Sequence, residues 1–470
     1  MATTSSESDR RPVRKTRQSY REQSSPTESE NNNKGQDRKI VKKKGKGREV
    51  KRRKSNNDDS AEPAQYEAGP EGYKKIRNTG SPPHFNDWCT IVVDDIGKKI
   101  YMYGGSRPND KRYIPTNDFH VLDVDTMQWK KLSPKFWSNA HRPFEPVGKS
   151  KPLPSLFKPA CTVLHFKETN YIFMFGGYDV DEEVVSSRLI AIDLDDAQWW
   201  YVEIEDNVCG RINASMIGID NKLFIFGGRE SYDEKALGLA SYSIAEYTDY
   251  RWKWMSGRRD RAYDAHVPPL GFGGRALSVH GGRKILLTPG RLDNEAPVNM
   301  QESNSIFFHT TNFTFRAAAD TVGTFPGNLR WYWSYSNEGS HPSVQSLPTT
   351  SPLRKRKRLS SPPREVVSPP YVIIAGWVDY GKDDHIMPEL WQYFLPPEEK
   401  IQCFNIRSTI WSMDLNLHSF AAVGNRMILL GFEGDSEGDK VPDDARYNVC
   451  VEVDMGVVSK NATEVKIEEE

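Results

Sequence analysis

The sequence predicts an all-β fold of repeated four-stranded antiparallel units in a radial array. Three observations carry this. An apolar run ending in a glycine pair occurs three times, a tryptophan follows each pair at a near-constant interval, and a strand with small residues precedes each. The apolar runs are Ile100-Tyr101-Met102-Tyr103-Gly104-Gly105, Ile172-Phe173-Met174-Phe175-Gly176-Gly177 and Leu223-Phe224-Ile225-Phe226-Gly227-Gly228. Repetition at this long period argues for a repeat architecture before any single-domain enzyme fold.

Taken in order, each unit opens on its small-residue strand: Cys89-Thr90, Cys161-Thr162 and Ala214-Ser215. The apolar run comes second. Aromatic and branched residues without polar alternation suit a strand buried on both faces, and the glycines end it where a positive φ or close approach is needed. A third strand carries acids: Val121-Leu122-Asp123-Val124-Asp125, Ile190-Ala191-Ile192-Asp193-Leu194-Asp195 and Tyr242-Ser243-Ile244-Ala245-Glu246. Asp125-Thr126, Asp195-Asp196 and Thr248-Asp249 then sit where a hairpin turn needs Asx chemistry. The fourth strand brings tryptophan. From Gly105 to Trp129, Gly177 to Trp200 and Gly228 to Trp252 the intervals are 24, 23 and 24 residues.

This order of small-residue strand, apolar strand with Gly-Gly, strand with Asp and then Trp resembles the kelch repeat, between about Phe85 and Ser256. The resemblance implies a β-propeller with blades of about fifty residues. Further on, Ile285-Leu286-Leu287-Thr288-Pro289-Gly290, Val372-Ile373-Ile374-Ala375-Gly376 and Ile428-Leu429-Leu430-Gly431 keep the apolar run but one glycine. Phe313, 23 residues after Gly290, stands in for the tryptophan. The expected count is about six four-stranded blades.

The 470 residues have formal net charge zero, but residues 1–60 hold 18 Lys or Arg against 9 Asp or Glu. Their balance of +9 leaves −9 on the rest. That stretch has one aromatic, Tyr20, and too little apolar surface to offset ordering, so residues 1–72 are expected to form a disordered basic tail. It lacks the apolar core of a signal peptide, and no run in the chain approaches the roughly 18 apolar residues of a membrane span. Lys42-Lys43-Lys44 and Lys51-Arg52-Arg53-Lys54 read as nuclear import signals, as nucleic-acid contacts or as a solvated tail. Nucleic acid is the least favoured, because no aromatic is interleaved for base stacking.

The propeller is expected over 73–459. Tyr73-Lys74-Lys75-Ile76 matches Trp129-Lys130-Lys131-Leu132 in pattern, so Tyr73 to Asn78 is expected as an outer strand donated to the last blade, with Met455 to Ser459 as its rival. Within the propeller, 338–370 is Ser/Pro-rich and reads as a disordered insertion inside a blade. It carries Arg354-Lys355-Arg356-Lys357-Arg358 among Ser351-Pro352, Ser361-Pro362 and Ser368-Pro369. These serines are candidate phosphosites whose charge would cancel most of a basic import signal. Residues 460–470 form an expected disordered acidic tail. The segment Lys135 to Pro159 contains Phe136, Trp137, Phe144 and Phe157, which either mark a partner surface or fold back on the blade beneath.

Chemistry is sparse. The resemblance includes a copper radical oxidase branch, which needs converging His and Tyr pairs with one Tyr crosslinked to Cys. None of the ten histidines pairs with another at ligand spacing. The five cysteines, Cys89, Cys161, Cys209, Cys403 and Cys450, are odd in number and widely spaced, unlike a disulfide framework or zinc site. Asp435-Ser436-Glu437-Gly438-Asp439 lacks the Gly and Glu of a calcium loop, with Lys440 and Arg446 in their places. Gly271-Phe272-Gly273-Gly274 follows Pro268-Pro269 instead of a strand, outside the context of a dinucleotide loop. The expectation is a non-enzymatic, nuclear interaction platform without cofactor. It would meet protein partners through its rim loops and, for import, a nuclear import receptor. The alternative is a propeller enzyme, galactose-oxidase-like or other, with its site in the central channel.

Overall fold

The structure is a computed structural model that describes residues 64–68, 72–84, 86, 89–106, 116–137, 151–166, 168–205, 208–231, 242–255, 275–279, 282–288, 306–317, 320–323, 329–336, 371–379, 386–394, 400–405, 416–432 and 445–455. All lie in one compact unit, Ser60–Glu470. Every regular element among them is a strand. The fold is a β-propeller with six four-stranded antiparallel blades among the described residues.

The first blade runs Thr90–Asp94, Lys99–Tyr103, Phe119–Asp123, Gln128–Leu132, and the second Ala160–Phe166, Thr169–Phe175, Leu189–Asp193, Gln198–Tyr201. The third is Ser215–Ile219, Lys222–Phe226, Tyr242–Thr248, Arg251–Met255, and the fourth Ala276–Val279, Lys284–Leu287, Ile306–His309, Thr314–Ala317. The fifth is Leu329–Ser336, Tyr371–Asp379, Ile386–Phe394, Lys400–Asn405. The sixth combines Asn416–Val423, Arg426–Phe432 and Val449–Asp454 with Tyr73–Arg77. The first strands of successive blades lie side by side, and that of the sixth lies beside that of the first.

The core sits in the seams. Ile100 and Met102 face the sixth blade, whereas Tyr101 and Tyr103 of the same strand face the second. Both faces of a blade are therefore buried, which is why these strands read as unbroken apolar runs. Trp129 packs in the sixth–first seam, Trp199 in the first–second, Trp252 in the second–third, and Phe315 beside the third–fourth.

Three details of the sequence reading shift. Trp199 lies opposite Ile192, as Trp129 lies opposite Leu122, so Trp199 and not Trp200 is the repeat tryptophan of the second blade, and by the same register Trp254, opposite Ala245, and not Trp252, is that of the third. Phe315, opposite Phe308, takes that place in the fourth blade, while Phe313 is a turn residue at φ 56°. Ala160 lies opposite Phe175, as Thr90 opposite Tyr103 and Ser215 opposite Phe226. The small-residue position of the second blade is thus Pro159-Ala160, with Cys161-Thr162 displaced along the strand. For the tryptophan, one chain position decides which face a strand residue presents.

Tyr73–Arg77 pairs antiparallel with Val449–Asp454, Tyr73 opposite Val453. Gln65–Ala68 pairs in turn with Tyr73–Arg77, so strand pairing among the described residues extends on the N-terminal side of Tyr73. Lys74 Nζ lies 3.8 Å from the Tyr66 ring centroid and Lys75 pairs with Glu67 at 3.6 Å. A four-residue strand is too short to show a period in the sequence.

The sequence also gave no sign of short parallel strands on the outer edges. Thr79–Gly80, Lys135–Phe136, Ile204–Glu205 and Asp320–Gly323 each extend from a connection and pair with the fourth strand of the blade that follows. They cover edges that would otherwise present open backbone groups.

The basic runs Lys42–Lys44, Lys51–Lys54 and Arg354–Arg358, the serines Ser351, Ser361 and Ser368, and residues 460–470 lie outside the described residues. The segment 337–370 joins Leu329–Ser336 to Tyr371–Asp379, neighbouring strands of one blade with Ser336 opposite Val372.

Candidate interaction surface

The two ends of the blades differ. At one end strands turn within a few residues, as at 95–98, 124–127, 194–197, 220–221 and 249–250. Asp123 Oδ1 accepts the Thr126 N–H at 2.9 Å, and Asp193 Oδ1 those of Asp195 and Asp196 at 2.9 and 3.0 Å. The Asx residue is therefore the last of the third strand, two positions before the Asp125 and Asp195 singled out in the sequence.

The opposite end follows the glycine pairs and carries the long connections 104–118, 133–159, 176–188 and 202–214. Gly104, Gly105, Gly176, Gly177, Gly227 and Gly228 all have positive φ. A Cβ at Gly176 would lie 2.2 Å from Arg211 O, and one at Gly228 2.9 Å from Ala214 Cβ. The second contact explains the small residue before the first strand: Ala214 is packed against the glycine of its own blade.

At this end Leu153–Leu156 is fastened to the first blade. Tyr103 Oη donates to Pro154 O and accepts the Leu156 N–H at 3.0 Å, and Asn117 Nδ2 donates to Leu153 O at 2.8 Å. Burial raises the Tyr103 pKa well above the ordinary phenol value, keeping this hydroxyl protonated. Of the aromatics 136–157, Phe157 is buried and Phe136 packs on Trp199 with centroids 4.8 Å apart. Trp137 remains 45% exposed with its ring centroid 5.7 Å from that of Trp200, edge to face, and Phe144 lies outside the described residues.

Cations gather beside this aromatic group. Arg188 donates to Glu182 Oε1 at 2.9 Å and to Tyr201 Oη at 3.4 Å. Lys151 Nζ stands 5.1 Å from the Tyr201 centroid, within cation–π reach. In the third blade Arg211 is buried and donates to Gly227 O at 3.4 Å and Ser243 Oγ at 3.0 Å; burial lowers its pKa. Between the sixth and first blades, Arg446 donates to Pro82 O at 3.1 Å and lies 2.9 Å from His84 Nε2. His120 Nδ1 lies 3.1 Å from Ser81 O, and burial lowers its pKa.

The predicted motif residues thus divide. The six glycines shape the long-connection end, Trp129 and Trp252 fill seams, and Trp200 packs beside Trp137. Sequence reasoning missed Arg188 and Arg211, which lie in connections with no pattern of their own, and Tyr201, the last residue of a fourth strand. Among the described residues no group of three or more His, Cys, Asp or Glu side chains stands close enough to hold a metal. No helix among them is long and apolar enough to cross a membrane.

Residues 88–135, the first blade from its inner strand to its outer one, match the family model described as Kelch motif. No curated protein matches the chain.

Proposed function

We propose that this kelch-repeat β-propeller is a non-enzymatic platform that binds protein partners across the end bearing its long connections. Kelch-type propellers are commonly interaction domains. The observation that carries the reading is the asymmetry of the ends. Exposed Trp137, half-buried Trp200 and Tyr201, and the flanking Lys151 and Arg188 stand where a rigid sheet array displays its variable segments. Aromatic residues and arginine are the side chains that most often anchor protein interfaces.

The test is cross-linked affinity purification of the full chain beside Trp137→Ala and Arg188→Ala. Expected is a reproducible set of proteins lost from both variants while their thermal unfolding matches wild type. A set recovered equally by all three would place binding elsewhere, and none at all would remove the platform reading.

We further propose nuclear residence, supported by Lys42–Lys44, Lys51–Lys54 and Arg354–Arg358 in the sequence. Serine phosphorylation at Ser351, Ser361 and Ser368 would weaken the Arg354–Arg358 signal by charge neutralisation. Fluorescent imaging with all three basic runs neutralised should show loss of nuclear accumulation. An unchanged distribution rejects the import role.

A further inference from the structure

Connection 107–115 leaves the first blade after Ser106 and returns at Thr116, and its feet are joined by the Thr116 N–H donating to Gly105 O at 2.8 Å. Beside them Asn86 Nδ2 donates to Gly104 O at 3.2 Å. Three side-chain atoms around this glycine pair, Asn86 Oδ1, Ser106 Oγ and Thr116 Oγ1, are buried with no hydrogen-bond partner in the protein. Ser106 is wholly buried and Asn86 is 5% exposed. The second blade treats the equivalent position differently. There Ser186 donates its N–H to Gly177 O at 2.8 Å, and its hydroxyl accepts the Arg188 N–H at 3.2 Å.

Three buried polar groups left bare would consume a large share of a domain's net stability. The donor inventory limits what satisfies them. The Asn86 amide nitrogen is committed to Gly104, so its oxygen needs a donor; each hydroxyl is able to give or take. None of the three is charged, which selects a neutral guest. Water supplies two donors and two acceptors, and buried waters commonly make about three hydrogen bonds.

We propose that the foot of connection 107–115 is a buried water site, held by Asn86 Oδ1, Ser106 Oγ and Thr116 Oγ1. The feet of the connection are then joined through solvent as well as through the Thr116–Gly105 backbone bond.

The sign of a stability change tests this. Ser106→Ala and Thr116→Val remove the hydroxyls with little change of shape. With water bound, each variant of the full chain should lose about 1–3 °C of Tm, and the double variant should lose less than the sum, because one guest serves both. Groups truly unsatisfied would give the opposite sign, since deleting them relieves a cost. A crystal structure of the unmodified chain at high resolution is the independent reading, and should show a water within hydrogen-bond distance of at least two of the three atoms. Raised or unchanged Tm in both single variants, or a dry site, overturns the proposal.

Discussion

Trp199 and Trp200 are chain neighbours that serve different seams. Trp199 is fully buried between the first and second blades, whereas Trp200 packs from the edge against the second–third cluster. The 23-residue interval chose the wrong member of the pair, because spacing lacks the single-residue accuracy that a strand's alternation demands. Trp199→Ala should cost about 3–5 kcal/mol, and Trp200→Ala about 1–2 kcal/mol, by denaturant unfolding. Equal costs would mean that the two indoles share the load. A second residue-scale prediction concerns His165, whose Nε2 lies 3.1 Å from Asp94 Oδ1 across the first–second seam while Nδ1 meets Asn170 Oδ1. Burial opposes its charge, but the Asp94 hydrogen bond and charge, then Asn170, win and raise its pKa above 6.5. A raised folded-state pKa stabilises fully below the unfolded value and fades as pH rises through the folded one. The Tm advantage of wild type over His165→Gln should therefore be present at pH 6 and shrink at alkaline pH. A gap independent of pH would assign His165 a packing role alone.

At the scale of elements, the seams between first strands use hydroxyls as well as apolar contact. Thr162 Oγ1 accepts the Gly218 N–H at 3.1 Å, and Ser215 Oγ accepts the Ala276 N–H at 2.8 Å. Each bond crosses from one blade to the next. Ser215→Ala should leave the buried Ala276 N–H without that acceptor and cost about 1–3 kcal/mol, read from denaturant midpoints at unchanged m. A neutral result would show that the backbone relaxes onto another acceptor. These strands also show how much the sequence disclosed. The apolar runs with their glycine pairs marked the second strands of the first three blades, because burial on both faces leaves no polar residue to blur the signal. The function of the small residues was not legible. Ala214 answers Gly228 and Ser215 answers the neighbouring blade, contacts that exist only once sheets are stacked. The parallel edge strands were equally invisible, since two to four residues show no periodicity. Of the candidate surface, Trp137 was apparent as an aromatic in a long connection, whereas Arg188 and Tyr201 had no distinguishing pattern.

At the scale of the whole molecule, residues far apart in sequence meet between the sixth and first blades. Arg426 donates to Glu452 at 2.8 Å, to Asp125 at 3.2 Å and to Val124 O at 2.9 Å, tying the two blades together. The outer side of the sixth blade depends on the strand Tyr73–Arg77, whose Ile76 is wholly buried in that seam. Asn78 N–H donates to Asn448 O at 2.8 Å, Asp454 N–H to Gly72 O at 2.8 Å, and Cys450 Sγ to Asn78 Oδ1 at 3.3 Å. Deleting residues 1–63 spares all of these contacts and should leave Tm unchanged. Deleting 1–78 removes the contacts of Gly72 to Asn78 together while sparing those of Arg426, exposes Val449–Asp454 as an edge and uncovers Trp129 and Cys450. The combined loss of ladder bonds and apolar burial is on the order of 5 kcal/mol. Thermal unfolding of the two truncations, with hydrogen exchange across Val449–Asp454, decides the matter. Expected is a lower Tm and faster exchange in that strand for the longer deletion alone. Equal Tm and equal protection would show that the sixth blade is stable without its N-terminal strand, and that the pairing of Tyr73 with Val453 is incidental to folding.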